Sequence, residues 1–229
     1  MASPVPDSAA RRLVIFGASN IVSDLFDCAL ATGLVPAKVI LHLPESDGPR
    51  DIALTTRVAA LAPLCDPPRI ETLDEFRPVE GELYLLGPTT PTRANLAAEI
   101  QRRFALRYHT LVHPTAYVSP LASLGQGVFI GANSVVGPGA RLEDHVFVNR
   151  GVTIGHDTRI GSFSRLQPGA NLGGLSRIGG GVTVAIGATL LERLVVGDRA
   201  FIGAGAVVTK DVPDDALVLG IPTKFKNLP

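Results

Sequence analysis

The sequence predicts a chain in two parts: a small α/β half followed by a long parallel β-helix. Three observations lead there. From Val112 to Val208 an aliphatic residue occupies every sixth position, seventeen times in succession. The residue after it is often glycine (Gly125, Gly131, Gly155, Gly173, Gly197), and the residue four places after it is usually small or β-branched (Ala116, Ser134, Thr158, Ala188). Upstream of residue 109, apolar runs alternate with stretches of helical spacing. A helix requires apolar residues every 3.6 positions and a simple strand every 2, so a clean six fits neither. It fits a coil in which one short strand and one turn make a side, with three sides closing a triangular prism. The aliphatic residue points inward and stacks on its equivalent in the next coil, ~4.8 Å away. Glycine is expected where a corner side chain would clash or where φ must be positive.

The elements follow in order. Residues 1–11 read as a disordered tail. Residues 12–108 read as the α/β half. Leu13–Phe16 is a buried strand, followed by the turn Gly17-Ala18-Ser19-Asn20. Ile21 to Ala31 places Ile21, Leu25, Cys28 and Ala29 on one helical face, and Gly33 ends that helix. Lys38–Leu43 is a second strand, Asp51–Ala62 a helix, and Leu83–Leu86 a third strand closed by Gly87. Thr92–Phe104 is helical, with Arg93, Arg102 and Arg103 on its outer side. Alternating strands and helices predict a parallel sheet. Residues 109–210 form the β-helix, and residues 211–229 leave the repeat to cap its open end.

Composition narrows the function classes. Formal net charge is zero with no basic run, which argues against a nucleic-acid partner. Cys28 and Cys65 are too few for a disulfide framework and read as reduced structural thiols. No apolar run approaches a membrane span, and the LVIFGAS stretch is too short for a signal peptide. These features predict a cytoplasmic protein.

Two motifs carry chemistry. His156 is the second residue after the inward Ile154, so it stands near a corner, pointing outward, with Asp157 next to it. An exposed imidazole acts as a general base, and a neighbouring carboxylate fixes its tautomer; a surface histidine at a turn is the bland alternative. The Gly17–Asn20 turn, after a strand and before a helix, offers free N–H groups to an anion such as a phosphate. Its ordinary reading is a strand-to-helix turn in which Ser19 or Asn20 caps the helix. No metal is expected. A coil takes eighteen residues, so His145 and His156, eleven apart, are rotated well over a third of a turn and cannot share an ion within one subunit.

The order of these parts resembles a known family. An N-terminal α/β half, HPTAYVSP, a hexapeptide β-helix and a terminal VLGIPTK look like the β-helix sugar acyltransferases. That family includes nucleotide-amino-sugar N-acetyltransferases and sialic acid O-acetyltransferases. The resemblance implies a Rossmann-like α/β domain followed by a left-handed parallel β-helix, trimeric assembly, and acetyl-CoA as donor. The segment VNRGVTIGHDTRIGSF matches the family's Asn and aliphatic-x-His-acidic step at Asn149 and His156-Asp157. By that resemblance His156 is the catalytic base, Asp157 orients it, and Asn149 or backbone N–H groups stabilise the oxyanion. The family's donor-binding positions, along a groove between subunits, fall on Gly174, Ile186, Ala204 and Lys210. Where many relatives carry a second histidine near the thioester, nine residues after the base, this chain has Arg165, which suits a carbonyl oxygen or a phosphate. Relatives also have a glycine-richer first loop and an acidic pair after the second strand, where this chain has GASN and HLPES with Glu45.

These readings combine into one expectation. A homotrimeric acetyl-CoA-dependent enzyme holds its acceptor near Gly17, Ser19, Asn20, Gly87 and Arg93. His156 takes a proton from the amino group of a nucleotide-linked sugar in surface-polysaccharide synthesis. Transfer to a sugar or sialic acid hydroxyl is the close alternative. A non-catalytic trimeric scaffold or small-molecule sensor is the alternative from another class. A γ-type carbonic anhydrase shares the repeat but fails the histidine geometry.

Overall fold

A computed structural model describes residues 11–44, 48–221 and 224–227. The first ten residues of the expected tail, and Glu45, lie outside the described residues. The α/β half is a four-stranded parallel sheet of β1 (Arg12–Phe16), β2 (Val35–Leu41), β3 (Arg69–Thr72) and β4 (Glu82–Leu86), in the order β3-β2-β1-β4. Helices α1 (Val22–Ala31), α2 (Leu54–Ala59) and α3 (Arg93–Phe104) connect and flank it. β3 is the strand the sequence reading misses. It is an exposed edge with the sequence RIET, so no buried apolar alternation marks it. α2 is half its expected length. Ala53 is extended, and Pro63 disfavours helical geometry at Ala62.

Three walls form the prism. The first begins at Leu111–Val112, the second at Tyr117–Val118 and the third at Ser123–Leu124. Each strand pairs in parallel with the one eighteen residues on, as Ile154 does with Leu172 and Ile160 with Ile178. The inward aliphatic residues join one continuous buried core. Burial of each such side chain contributes about 1.5–3 kcal/mol. The residue four places on is buried too. When it is Ser134, Ser164 or Ser176, its hydroxyl donates to a corner carbonyl of the next coil, which offsets the desolvation cost.

The corners use glycine in both of the expected ways, at two separate positions. From Gly127 to Gly205, the residue three places after each aliphatic has positive φ, whether glycine or not. It includes His145 (59°) and Asp157 (56°). The glycine directly after the aliphatic has ordinary φ, and its role is clearance. A Cβ on Gly155 would stand 2.4 Å from the backbone nitrogen of Gly174, and one on Gly173 2.4 Å from that of Glu192. The end of the chain also corrects the sequence reading. Ala216–Leu219 does not leave the repeat but pairs in parallel with Phe201–Ile202, and Val212, Ala216 and Val218 join the core. The step there is sixteen residues instead of eighteen, which hides it from a strict period of six. Lys224–Asn227 then pairs antiparallel with that last strand.

The α/β half sits on the first wall. Outward-facing Phe129 and Phe147 stack at 4.8 Å and enter one core with Leu13, Val22, Leu25 and Phe26. His145, at the neighbouring corner, is buried with its ring stacked on Phe163 and edge-on to Tyr108. Burial, and next the charge of Arg93, pushes its pKa down from 6.5 to about 4. The folded state therefore binds a proton less readily than the unfolded chain, and stability is lost as pH falls from 6.5 towards 4. We expect the loss to be on the order of 3 kcal/mol across that window. Denaturant titrations at both pH values should show it in the wild type and show it greatly reduced in His145→Leu.

Candidate active site

The corner between the second and third walls holds Gly155, His156, Asp157 and Thr158. His156 and Asp157 are both exposed, with 56% and 57% of their side-chain surface open. The positive φ of Asp157 turns its carboxylate back onto the preceding ring, and its Oδ2 lies 2.9 Å from His156 Nδ1. That contact assigns the Nδ1 proton to the carboxylate and leaves Nε2 as the basic atom. Two glycines bracket the pair. Gly174, one coil above His156, would put a Cβ 2.7 Å from Nε2. Gly139, one coil below Asp157, would put one 2.3 Å from its Oδ1. Thr158 is buried and donates to the Gly173 carbonyl at 3.3 Å, fixing the corner from inside.

The expected donor positions, and Asn149 as the expected oxyanion donor, are divided over the prism. Lys210 stands exposed at the same corner line as His156 and Gly174. Asn149, Ile186 and Ala204 lie on the opposite edge of the second wall, between it and the first. Asn149 is 5% exposed; its Oδ1 accepts from Arg150 N at 2.8 Å and its Nδ2 donates to Gln167 at 3.3 Å. Ile186 is an exposed apolar residue. Arg165 is on neither edge. It faces out from the first wall, half-buried, with Nε donating to Thr183 Oγ1 at 3.0 Å. It lines a cavity of about 780 Å³ beneath the start of α3, with Phe163, Phe201 and Asn95. Nine residues is half a coil, so Arg165 cannot share a corner with His156 in one protomer.

The Gly17–Asn20 turn opens a second cavity of about 420 Å³ at the carboxyl ends of β1 and β2. Ser19 and Asn20 line it, joined by three residues that sequence spacing did not single out, His42, Asp51 and Arg57. His42 and Asp51 come from the two ends of the segment joining β2 to α2 and Arg57 from α2 itself, so no local motif announces them. Asn20 braces the mouth: its Nδ2 donates to Asp51 at 2.9 Å, and its Oδ1 accepts from Arg57 at 3.0 Å. Burial lowers the His42 pKa, and its Nδ1 is buried without a hydrogen-bond partner. Neither Ser19 nor Asn20 caps α1. Ile21 is the N-cap residue, and Ser19 Oγ donates instead to the Gly87 carbonyl at 3.0 Å. Gly87 supports the turn from behind, where a Cβ would meet the Gly17 oxygen at 1.9 Å.

Arg93 requires correction. It is not on the outer side of its helix but is 4% exposed. Its guanidinium donates to the carbonyls of Thr89, Thr90, His145 and Ser164, tying the α/β half to the prism. Burial, and next the nearby Arg165 charge, lowers its pKa. The signal was present in the sequence. Arg93 shares the i, i+3, i+4, i+7 face with Leu96, Ala97 and Ile100, all buried.

Cys28 is buried in the apolar core, and burial followed by the Asp27 charge pushes its thiol up to about 12. Neither it nor Cys65 lies in the prism, and both are free. No group of His, Cys, Asp or Glu able to hold a metal ion occurs among the described residues. No described helix is long and apolar enough to cross a membrane.

Comparison with known proteins places this geometry. Residues 121–156 match the family model "Bacterial transferase hexapeptide (six repeats)", and residues 193–217 match "Hexapeptide repeat of succinyl-transferase". The acetyltransferase domain of PglB from Neisseria gonorrhoeae FA1090 is 28% identical with a TM-score of 0.78, over 93% of this chain and 98% of that one. The same domain in complex with acetyl coenzyme A is 29% identical over 94% and 99%, also at 0.78. PerB from Caulobacter crescentus, in complex with CoA and GDP-perosamine, shares the fold at 23% identity and a TM-score of 0.74, over 93% and 96%. A search of curated protein sequences finds no match. The chain is an acyltransferase built on the hexapeptide-repeat β-helix, and its many parallel strands in stacked sheets fit the left-handed form.

Arg93→Ala should destabilise the protein by about 2–4 kcal/mol, because carbonyls buried against the guanidinium lose their donors. Chemical denaturation measures this. The folded fraction should keep its acceptor KM within about threefold, whereas a substrate-binding arginine would raise it tenfold or more.

Proposed function

We propose that the chain transfers an acetyl group from acetyl-CoA to the amino group of a nucleotide-linked sugar, with His156 as general base. The observation that carries this reading is the His156–Asp157 pair, exposed on a prism edge with its ring laid over Gly174. The acceptor amine attacks the thioester carbonyl while Nε2 takes its proton. Asp157 stabilises the imidazolium. As the tetrahedral intermediate collapses, the C–S bond breaks and the imidazolium returns the proton to the CoA thiolate. Backbone N–H groups or the Asn149 amide hold the oxyanion. Transfer is direct, since neither cysteine is placed or ionised to form an acyl-enzyme.

The active unit in this reading is a homotrimer. Within one protomer His156, Gly174 and Lys210 occupy one edge of the second wall, and Asn149, Ile186 and Ala204 the other. Only a neighbouring copy brings the two edges together. The exposed apolar side chains support this arrangement. Tyr117 and Val135 stand on the second wall, Leu121, Leu175 and Leu191 on one flanking edge, and Ile186 on the other. The α/β half, read as a Rossmann-like acceptor domain, reaches the Asn149 edge: Asp24 of α1 pairs with Arg150 at 2.6 Å. An acceptor in the cavity beside Asn20 would then face the His156 of the adjacent copy. Arg165, on the first wall, lines the cavity beneath the start of α3 and lies off that groove. The pathway is surface-polysaccharide synthesis in the cytoplasm.

His156→Ala should lower kcat by about 10²- to 10⁴-fold with the right acceptor while the protein still binds CoA. Asp157→Asn should cost less, on the order of tenfold. Steady-state acetylation assays and a CoA-dependent rise in melting temperature give both readouts. Activity of His156→Ala within a few fold of wild type removes the base assignment. A wild-type protein that CoA does not stabilise is a scaffold or sensor instead.

A further inference from the structure

The third wall carries charge that the mechanism above does not use. Arg141, Arg159 and Arg177 stand on successive coils, paired in register, and all three are exposed. A strand spacing of ~4.8 Å confines their Cα atoms to about 10 Å. None of the three guanidinium groups forms an ion pair or hydrogen bond with a described residue. Most carboxylates of the flanking corners are already engaged; Glu192, exposed and 4.0 Å from Arg193, is the exception. Asp157 holds His156, Glu143 accepts from Ser162, Asp144 from Gln126, and Asp211 from the Val195 N–H. Like charges opposite one another across strands are destabilising, so the fold carries this ladder at a cost that a bound anion would offset. The charge is also local. Ser123 and Val195 occupy the same outward position at the two ends of the wall. The three arginines are centred on the coil of His156: Arg159 follows it by three residues, Arg141 is one coil below and Arg177 one coil above.

We propose that this ladder binds the diphosphate of the nucleotide-linked acceptor as the sugar amine reaches His156. The proposal rests on the acetyltransfer reading and names the recognition device of the same site. Planar guanidinium forks on adjacent strands each present paired donors to phosphate oxygens. Distance along the ligands selects the acceptor. A sugar diphosphate begins one ring away from the reacting amine. The donor's diphosphate is separated from its thioester by the whole pantetheine arm, while the ladder flanks the base at its own height.

The test is kinetic, on the full-length protein, with the double variant Arg159→Gln/Arg177→Gln. Losing two charge-assisted phosphate contacts should raise KM for the nucleotide sugar about 100-fold, with kcat changed less than fivefold. The loss should shrink to a few fold when the unphosphorylated amino sugar is the acceptor. KM for acetyl-CoA should move less than threefold. If instead KM for acetyl-CoA rises and the effect vanishes with acetyl-pantetheine, the ladder belongs to the donor's diphosphate and the acceptor assignment falls. Unchanged KM values overturn the proposal, as does a double variant that sediments as a smaller oligomer, since the ladder is then an interface between copies. Should the wild type acetylate no nucleotide sugar, the acetyltransfer reading fails separately. Calorimetric titration with UDP, GDP and inorganic diphosphate then decides the ladder: binding by the wild type and not by the double variant sustains it, and equal binding or none ends it.

Discussion

Everything in this molecule depends on the vertical stacking of aliphatic side chains in successive coils of the prism. Ile154 lies over Val136 and beneath Leu172, and Ile160 over Leu142 and beneath Ile178. A slip of one residue would turn those side chains to solvent, so the register cannot drift. Once it is set, each outward residue has a defined wall and height. That is how a fold with very short strands holds a two-residue device such as His156-Asp157 without a loop dedicated to it. The stacking also imposes the corner rules. Coils this close leave no room for a Cβ directly after the aliphatic residue at many corners, and they require positive φ two residues later. Asp157 occupies that positive-φ position. An aspartate tolerates it better than most residues because its short polar side chain bonds locally, here to the ring of His156. The geometry of the candidate base is thus a by-product of the turn that closes the coil.

A second constraint joins the halves. The first wall is apolar where the α/β half covers it, through Phe129 and Phe147, and polar beyond, where Arg165 and Thr183 emerge. Burying Arg93 at that junction looks costly, since a charge leaves water. Its fork meets four carbonyls at the end of one helix and the corner of another coil, so the desolvation is met by hydrogen bonds from both bodies. Such a clamp fixes orientation as well as contact. It sets the cavity beside Asn20 at a constant distance from the Asn149 edge, with the Asp24–Arg150 pair as a second tie.

Legibility from sequence followed the range of the interactions. The prism was readable because its period is local and repeats many times. His156 and Asp157 are readable as a corner pair for the same reason, and Gly174, a donor position by resemblance, visibly clears space for the ring. Edge strand β3 was not, because exposed Arg69 and Glu71 carry no burial pattern. The final strand was missed because its sixteen-residue step breaks the count. The lining of the cavity beside Asn20, His42, Asp51 and Arg57, is not legible for a deeper reason. Those residues converge only after the end of β2, the segment after it and α2 are folded together, and no spacing encodes that. Arg93 is the instructive error. Its place on the helix's buried face is legible from spacing with Leu96, Ala97 and Ile100, but residue type alone points an arginine to the surface.

The division of the candidate site between two edges of one wall follows from the same prism. A convex triangular rod has no deep cleft of its own. Its corners are the positions that project, and two corners of one wall point away from each other. Chemistry on such a rod therefore needs a second body to make a concave seam. In this chain the α/β half covers only the first wall, the third carries the arginine ladder, and the second is left with Tyr117 and Val135 uncovered. A three-fold arrangement with the second walls facing inward would bury those residues. It would also set the His156 edge and third wall of one copy against the Asn149 edge and the α/β half of the next, with Nε2, the arginines and the cavity beside Asn20 lining one groove.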